Sequence, residues 1–487
     1  MDTLISWFQE HGGSVDASSL GFAEIDGQGR AAVAKRDLPE GHNLFSIPRS
    51  LTLSTRNSPL PKLLGDALWK THELGKGWVG LILCMMWEEA QGPASKWSGY
   101  LATLPTDFNT PMFWSEEDIQ ELKGTAVVDK IGKEDAEKDY HGRLIPCLNA
   151  RPDLFLPELL STCYSLEQYH THGSRILSRS FHVEKSDDED SDEDAEAGCS
   201  DAMDTDEAPQ LVAPSGPGSA ENDSAAGAAG EDSDDEDDED VGDVAMVPMA
   251  DMLNARYGSE NAKLFYERYD LNMVTTKPIK AGEQIWNTYG DPPNADLLRR
   301  YGHVDVVSLP GGGEGNPADI VEVRADLVVD CISSGAGDLS ERIDWWLDQG
   351  GDDTFALDRD LELPPDCISF IRLLQLTSGE WDKAQTKGKL PKGKMEPAIA
   401  SVAVEVLTRR LAQYPTSIED DEVLLSPERT GTLSLNRKHA IIVRLGEKRI
   451  LRGMLDNMRK LAQGDGKKYN KRKADDKGGR SGKKARQ

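Results

Sequence analysis

Three short stretches of this chain carry residue types whose spacing could do chemistry. The first, "VPMADMLNARYG" (247–258), sets Asp251 and Asn254 three positions apart in an apolar run, with Ala255 next. If the run packs against a core, both polar side chains need hydrogen-bond partners or cost a few kcal/mol. The alternative is that they cap local backbone at the end of a short helix or turn. The second, "IDGQGRAAVAKRD" (25–37), follows Asp26 with Gly27, Gln28 and Gly29. Two glycines around one residue let the backbone approach a ligand closely or simply turn sharply. The helix that follows such a turn in a dinucleotide-binding fingerprint is missing. The third, "GEQIWNTYGDPPNADLLRRYG" (282–302), holds Tyr289 and Tyr301, each directly before a glycine. Tyrosines in β-rich cores often serve only as amphipathic filler.

Metal chemistry is not indicated. The six cysteines, at 84, 147, 163, 199, 331 and 367, form neither a CxxC pair nor a cluster with histidine. That pattern argues against zinc and for a reducing compartment. "YHTH" (169–172) has two histidines without Cys or carboxylate partners at useful spacing, so it reads as surface or capping residues.

The elements that must position these residues fall into blocks. "GFAEI", "RAAVAKRD" and "HNLFSIPRSLTLS", within 20–55, are short β-type runs separated by Gly and Pro turns. Helical spacing takes over in 60–175, in "LPKLLGDALWK", "WVGLILCMMWEEA", "SEEDIQELKG" and "LPELLSTCYSLEQYH"; Ser115 before Glu117 and Asp118 is a start signal. The N-terminal "MDTLISWFQEHGG" reads as an amphipathic helix with Thr3 near its cap and Gly12-Gly13 at its end, not as a signal peptide. β character returns over 244–310, including "AKLFYERYD", "LNMVTTKPI" and "EQIWNTYG". Beyond Gly311–Gly313 the chain turns helical, through "DLVVDCI", "RIDWWLDQG", "DCISFIRLLQLT", "PAIASVAVEVLTRRLAQY" and "NRKHAIIVRLGEKRILRGMLDNMRKLA". The two β blocks can belong to one domain interrupted in the middle.

Charge is concentrated in two places. The formal net charge is −31, and Ser186–Asp240 alone hold 23 Asp/Glu and no Lys/Arg. Residues 466–487 hold ten Lys/Arg against two Asp. The acidic stretch, about 184–243, has too little apolar surface to offset its ordering entropy and is expected to be a disordered insertion. The basic tail reads as a disordered nuclear localisation signal recognised by an import receptor, placing the protein in the nucleus with the cytoplasm as a second site; weak contact with RNA is the alternative. The remainder is moderately acidic, which argues against strong nucleic-acid binding. The apolar run "GLILCMMW" (80–87) is too short to span a bilayer.

In order along the chain, the Gly-x-Gly segment, "SRSF" (178–181), "PMADMLN", "GEQIWNTYG" and "LLRRYG" resemble the SET domain of protein-lysine methyltransferases over roughly 20–310. The helical insert is similar to that of the branch related to Rubisco methyltransferase. The region containing "LAQYPTSIEDDEVLL" and "RKHAIIVRLGEKRIL" resembles that branch's C-terminal substrate-binding domain, with the fungal ribosomal lysine methyltransferases as the nearest group. The resemblance implies an α+β fold: a β-rich SET domain over 1–310 with a helical insert at about 60–175 and a threaded pseudo-knot, then an all-α domain over 316–465 and a basic tail, 466–487.

The resemblance also implies roles. Asp26, Gly27, Gln28 and Gly29 would lie along S-adenosyl-L-methionine, with Arg179 near its carboxylate. Asn254 would hold the cofactor's amino-acid end, the backbone of Ala255 would read the adenine, and Asp251 would orient the segment. Tyr289 would close the methyl-transfer channel as the catalytic tyrosine. Tyr301 would touch cofactor or substrate, and His182 would face the incoming lysine. The implied partner is a basic protein, ribosomal first and a histone or other nuclear protein second, bound by a monomeric enzyme.

One departure stands out: the family usually has Asn-His where this chain has Asn254-Ala255. If that position works through its backbone, alanine substitutes freely. If its side chain packs the knot, the chain could instead be a non-catalytic scaffold that binds basic proteins. A third reading is an acidic histone chaperone acting through the acidic stretch.

Overall fold

The computed structural model describes residues 2–25, 29–183, 243–309, 312–333 and 339–463. The acidic stretch, the basic tail and the Asp26–Gln28 part of the glycine turn lie outside these residues. The chain separates into two compact units. One comprises Met1–Phe108 and Gly132–Asp291; the other comprises Asn109–Ile131 and the chain from Pro292 onward.

The first unit is built on short antiparallel strands. β1 (Ser14–Val15), β4 (Asn43–Pro48), β8 (Asp270–Thr275) and β7 (Ala262–Tyr266) form a four-stranded sheet in the order β1-β4-β8-β7. β8 buries Leu271, Met273 and Thr275 in strict alternation, the period-2 pattern that fixes which face meets the core. β2 (Leu20–Ile25) and β3 (Gly29–Ala34) make a hairpin in register from Leu20↔Ala34 to Ile25↔Gly29. Gly29 closes its turn at φ +66, a conformation glycine adopts at little cost. β5 (Ser180–Val183) pairs with β6 (Asp243–Met246), and Val183 lies directly opposite Asp243. The chain therefore leaves for the acidic stretch and returns from it at neighbouring positions of one ribbon.

Helices carry the rest of this unit. Val79–Ala90 is buried on nearly every side from Val79 to Glu88, as its apolar sequence demands. Leu166–Arg179 starts at Ser165, whose hydroxyl accepts from the Gln168 N–H, and delivers Arg179 straight into β5. The N-terminal helix runs Asp2–Glu10, so Thr3 sits inside its first turn and not before it.

The second unit is mainly helical and centres on the 28-residue helix Leu435–Ala462, which buries Ile450, Leu451, Met454, Leu455 and Met458 against Pro397–Leu411 and its neighbours. The domain expected to be all-α also contains strands. Within 316–465, β11 (Val321–Arg324) pairs antiparallel with β12 (Thr354–Leu357); the short pair β9 (Val307–Ser308) and β10 (Glu314–Gly315) precedes that span in the same unit. Residues 109–131, expected in the helical insert, belong to this unit, where Trp114, Leu122 and Val127 pack with Leu298, Ala440 and Val443.

The third motif also differs from expectation. "EQIWNTYG" is no continuous strand; it makes two single bridges, Gln284 with Val33 and Asn287 with Ala255. "NADLLRRY" is the helix Asn294–Tyr301 and falls in the second unit. Among the described residues, no helix is long and apolar enough to cross a membrane.

Candidate active site

β6 runs into Met249, whose φ of +74 and ψ of −42 lie in a region that side-chain-bearing residues rarely adopt. That reversal starts a 3₁₀ turn over Ala250–Met252 and puts Asp251 inside the first unit instead of on its surface. The Tyr100 hydroxyl donates to Asp251 Oδ2 at 2.9 Å. Arg179 Nη1 donates to the Asp251 carbonyl at 2.7 Å and stands 3.7 Å from Oδ2. Burial pushes the Asp251 carboxyl up to about 6, against the opposing pull of Arg179 and Tyr100. Two buried polar atoms of this group have no partner, Arg179 Nε and Asp251 Oδ1.

Asn254 follows one turn later. Its side-chain amide donates to the Arg30 carbonyl at 3.2 Å, just beyond the glycine turn, and its own carbonyl accepts from the Asn287 N–H at 3.0 Å. Ala255 forms a parallel bridge with Asn287, so its contribution here is main-chain. The Tyr289 hydroxyl donates to the Leu253 carbonyl at 3.3 Å. Segments 250–255 and 284–289 thus run side by side. An open cleft lined by Thr3, Arg30, Gly99, Thr103 and Asp107 lies beside the glycine turn.

The structure therefore gathers Gly29, Arg179, Asp251, Asn254, Ala255 and Tyr289 around one stretch of backbone. His182 is on β5 opposite Val244 and exposed, with its neighbours Phe181 and Val183 turned further inward. Tyr301 ends its helix in the second unit, 5.9 Å ring to ring from His303. Asp26, Gly27 and Gln28 lie outside the described residues.

Sequence reasoning missed Tyr100, Asn287 and the backbone of Met249 and Arg30. Only Asn287 had a local signal, since it stands two places before Tyr289 in the motif already singled out. "YHTH" was also misjudged. His172 is fully buried, 2.8 Å from Glu89 Oε2, and Arg175 Nη1 donates to the same oxygen at 2.8 Å. Burial would raise Glu89, but His172 and Arg175 beside it hold it at about 2. The carboxylate partner comes from a distant helix, which is why spacing concealed it. Among the described residues no group of three or more potential ligands could hold a metal ion.

A family model described as Rubisco LSMT substrate-binding matches residues 338–451. Ribosomal lysine N-methyltransferase 4 of Saccharomyces cerevisiae is 30% identical over 326 residues, 66% of this chain and 57% of that protein. The match thus spans little more than half of the yeast protein's length. N-lysine methyltransferase SETD6 of Rattus norvegicus is 27% identical over 459 residues, 88% of this chain and 84% of that one. This chain is therefore similar to SET-domain lysine methyltransferases of the Rubisco LSMT type. The fold agrees: the structure of Rubisco LSMT bound to AdoMet superposes with a TM-score of 0.63 at 19% identity, covering 95% of this chain and 92% of the other.

The residues present fit such a methyl donor. The methionine part of S-adenosyl-L-methionine ends in a carboxylate, and a buried guanidinium nitrogen without a partner suits that group.

Proposed function

We propose that this chain methylates a lysine side chain of a basic protein, a ribosomal protein first among the candidates. Arg179 would hold the donor's carboxylate, Asn254 its amino-acid end, and the main chain of Gly29 and Ala255 would line the rest, with Asp26, Gly27 and Gln28 as further donor contacts. When bound, S-adenosyl-L-methionine supplies a methyl group on a sulfonium sulfur: the lysine amine's lone pair forms the new N–C bond as the S–C bond breaks, S-adenosylhomocysteine leaves with that electron pair, and the methylated ammonium gives its proton to solvent. The observation that carries this reading is the buried Arg179 Nε, left unpartnered beside the Asp251–Asn254 segment.

The protein's own residues have two tasks. They fix the reactants in line, which accounts for most of the rate in a displacement of this kind. They also favour the neutral amine: with an ordinary pKa of about 10.4, freeing a lysine of its proton at pH 7 costs roughly 4.6 kcal/mol in water. An apolar, aromatic channel lowers that cost by disfavouring the ammonium. The Tyr289 hydroxyl, tied to Leu253 in the middle of the motif, would orient the amine lone pair, and Tyr301 and His182 would contact the substrate. The basic protein as partner, and nuclear import through 466–487, are parts of the same proposal; the yeast relative's name, Ribosomal lysine N-methyltransferase 4, supports the ribosomal choice.

Incubating the protein with methyl-labelled donor and ribosomal extract tests the reading. A labelled protein band that disappears in the double variant Asn254→Ala, Tyr289→Phe supports it. No label, or full labelling by the double variant, overturns it.

A further inference from the structure

We propose that Tyr100, from the helical insert, is a positioning residue for methyl-donor binding: it holds the Asp251 carboxylate so that Arg179 keeps its free guanidinium edge turned to the donor. The inference rests on the donor site proposed above. Tyr100 is fully buried and gives its only hydroxyl proton to Asp251 Oδ2 at 2.9 Å. Asp251 in turn fixes Arg179 through both its carbonyl and its carboxylate. Engaging Nη1 in this way leaves Nε buried and without a partner, which is the edge a carboxylate needs.

The insert is built to keep that hydroxyl in place. Trp7 of the N-terminal helix stacks on Tyr100 with ring centres 6.2 Å apart and donates its Nε1 to the Lys96 carbonyl. Gly99 permits this approach, because a Cβ there would lie 2.4 Å from the Trp7 ring. Thr103 Oγ1 donates to the Tyr100 carbonyl at 2.7 Å, and Arg175 Nε ties the following Pro105 carbonyl to the helix that carries Arg179. Gly99 and Thr103 also line the open cleft beside Arg30. One wall of that cleft and the clamp on Asp251 thus come from the same few residues.

The charged groups around Asp251 make the idea testable through pH. Arg179 faces it from the helix Leu166–Arg179 and Tyr100 faces it from the insert, while Arg175 on the same helix acts on the Tyr100 hydroxyl. Arg175 is already paired with Glu89 alongside His172, so Arg179 is the cation left to answer to Asp251. Protonating Asp251 loosens its hold on Arg179, so donor affinity falls as pH drops through about 6. Removing the Tyr100 hydroxyl takes away a donor that favours the ionised carboxylate, so the same fall begins at higher pH.

The experiment is calorimetric titration of S-adenosylhomocysteine into the full-length protein between pH 5 and 8.5, for wild type, Tyr100→Phe and Asp251→Asn. Tyr100→Phe is expected to bind about tenfold more weakly at pH 8, with its pH midpoint moved upward. Asp251→Asn is expected to lose the pH dependence. In turnover, Tyr100→Phe raises the donor KM while kcat at saturating donor stays within about twofold. A purely structural tyrosine would lower stability without moving the midpoint. Wild-type affinity that is flat across this range, or an unchanged midpoint in Tyr100→Phe, overturns the inference and leaves the donor site standing. A wild-type protein that binds no donor at any pH overturns both.

Discussion

Replacing Glu447 by glutamine should stabilise the protein, and by an amount that grows with pH. Glu447 is buried on the helix Leu435–Ala462. It accepts a hydrogen bond from the Tyr414 hydroxyl at Oε2, lies 3.8 Å from Arg410 Nη2, and has no partner for Oε1. Burial pushes its carboxyl up to about 8, with Tyr414 and Arg410 pulling the other way. The unfolded chain releases this proton near 4.5, so between 4.5 and 8 the folded state binds more protons than the unfolded one. Stability therefore falls as pH rises through that window and levels off above it. The accumulated loss is about 3 kcal/mol at pH 7 and below about 1 kcal/mol at pH 5. Glutamine keeps an acceptor for Tyr414 and cannot ionise; any penalty for its unpartnered amide is the same at every pH. Urea unfolding of both proteins at pH 5, 7 and 8.5 reads the difference directly. A gap between the two that does not widen with pH would refute the reasoning.

Three further outcomes follow from the same geometry. Tyr289→Phe should lower kcat by tenfold or more while leaving donor affinity within about twofold, because the hydroxyl is bonded to the Leu253 carbonyl and its proposed task is to orient the amine; single-turnover kinetics with calorimetry separate the two. Ala255→His should change turnover by less than about twofold if the position acts through its bridge to Asn287, since every non-proline residue offers the same main-chain groups; a gain of tenfold would mean that the family's histidine side chain matters. Asp421→Asn should destabilise the protein by about 3–5 kcal/mol in thermal unfolding, because it leaves Arg444 and Lys448 buried without their shared carboxylate.

Much of the fold was legible because its elements repeat with a clear period. β8 alternates over six residues, and the helices Val79–Ala90 and Leu435–Ala462 are long enough for their pattern to stand out. Elements of four residues or fewer did not announce themselves. "VEVR" and "TFAL" pair as β11 and β12 across some thirty residues, and neither is long enough to outweigh the helical runs around it. "EQIWNTYG" has strand-forming composition, but its backbone makes only single bridges, because Asn261 supplies side-chain bonds where a ladder would run. Nothing local says that 109–131 packs with the second unit; that depends on Trp114, Leu122 and Val127 meeting residues more than 150 positions away.

For the site, the residue types were legible and their partners were not. Asp251 could equally have been a capping residue, and what decides otherwise is Tyr100, 151 positions earlier. Asn254 donates to a carbonyl 224 positions away. Met249 is harder still to foresee, since a left-handed turn is usually signalled by glycine or asparagine, and methionine in that conformation costs about 1–3 kcal/mol. The surroundings explain why that strain is tolerated. Upstream, Met246 is bridged to Leu53; downstream, Asn254 and Ala255 are held by Arg30 and Asn287; and the Met249 side chain itself is fully buried. With both ends fixed, an extended path through 249 would carry Asp251 away from Tyr100 and Arg179. Glycine would relieve the strain but give up the buried side chain that anchors the reversal. The strained methionine is therefore the link between an ordinary strand and a buried carboxylate, and it is the feature that turns the one Asp of an apolar run inward to Tyr100 and Arg179.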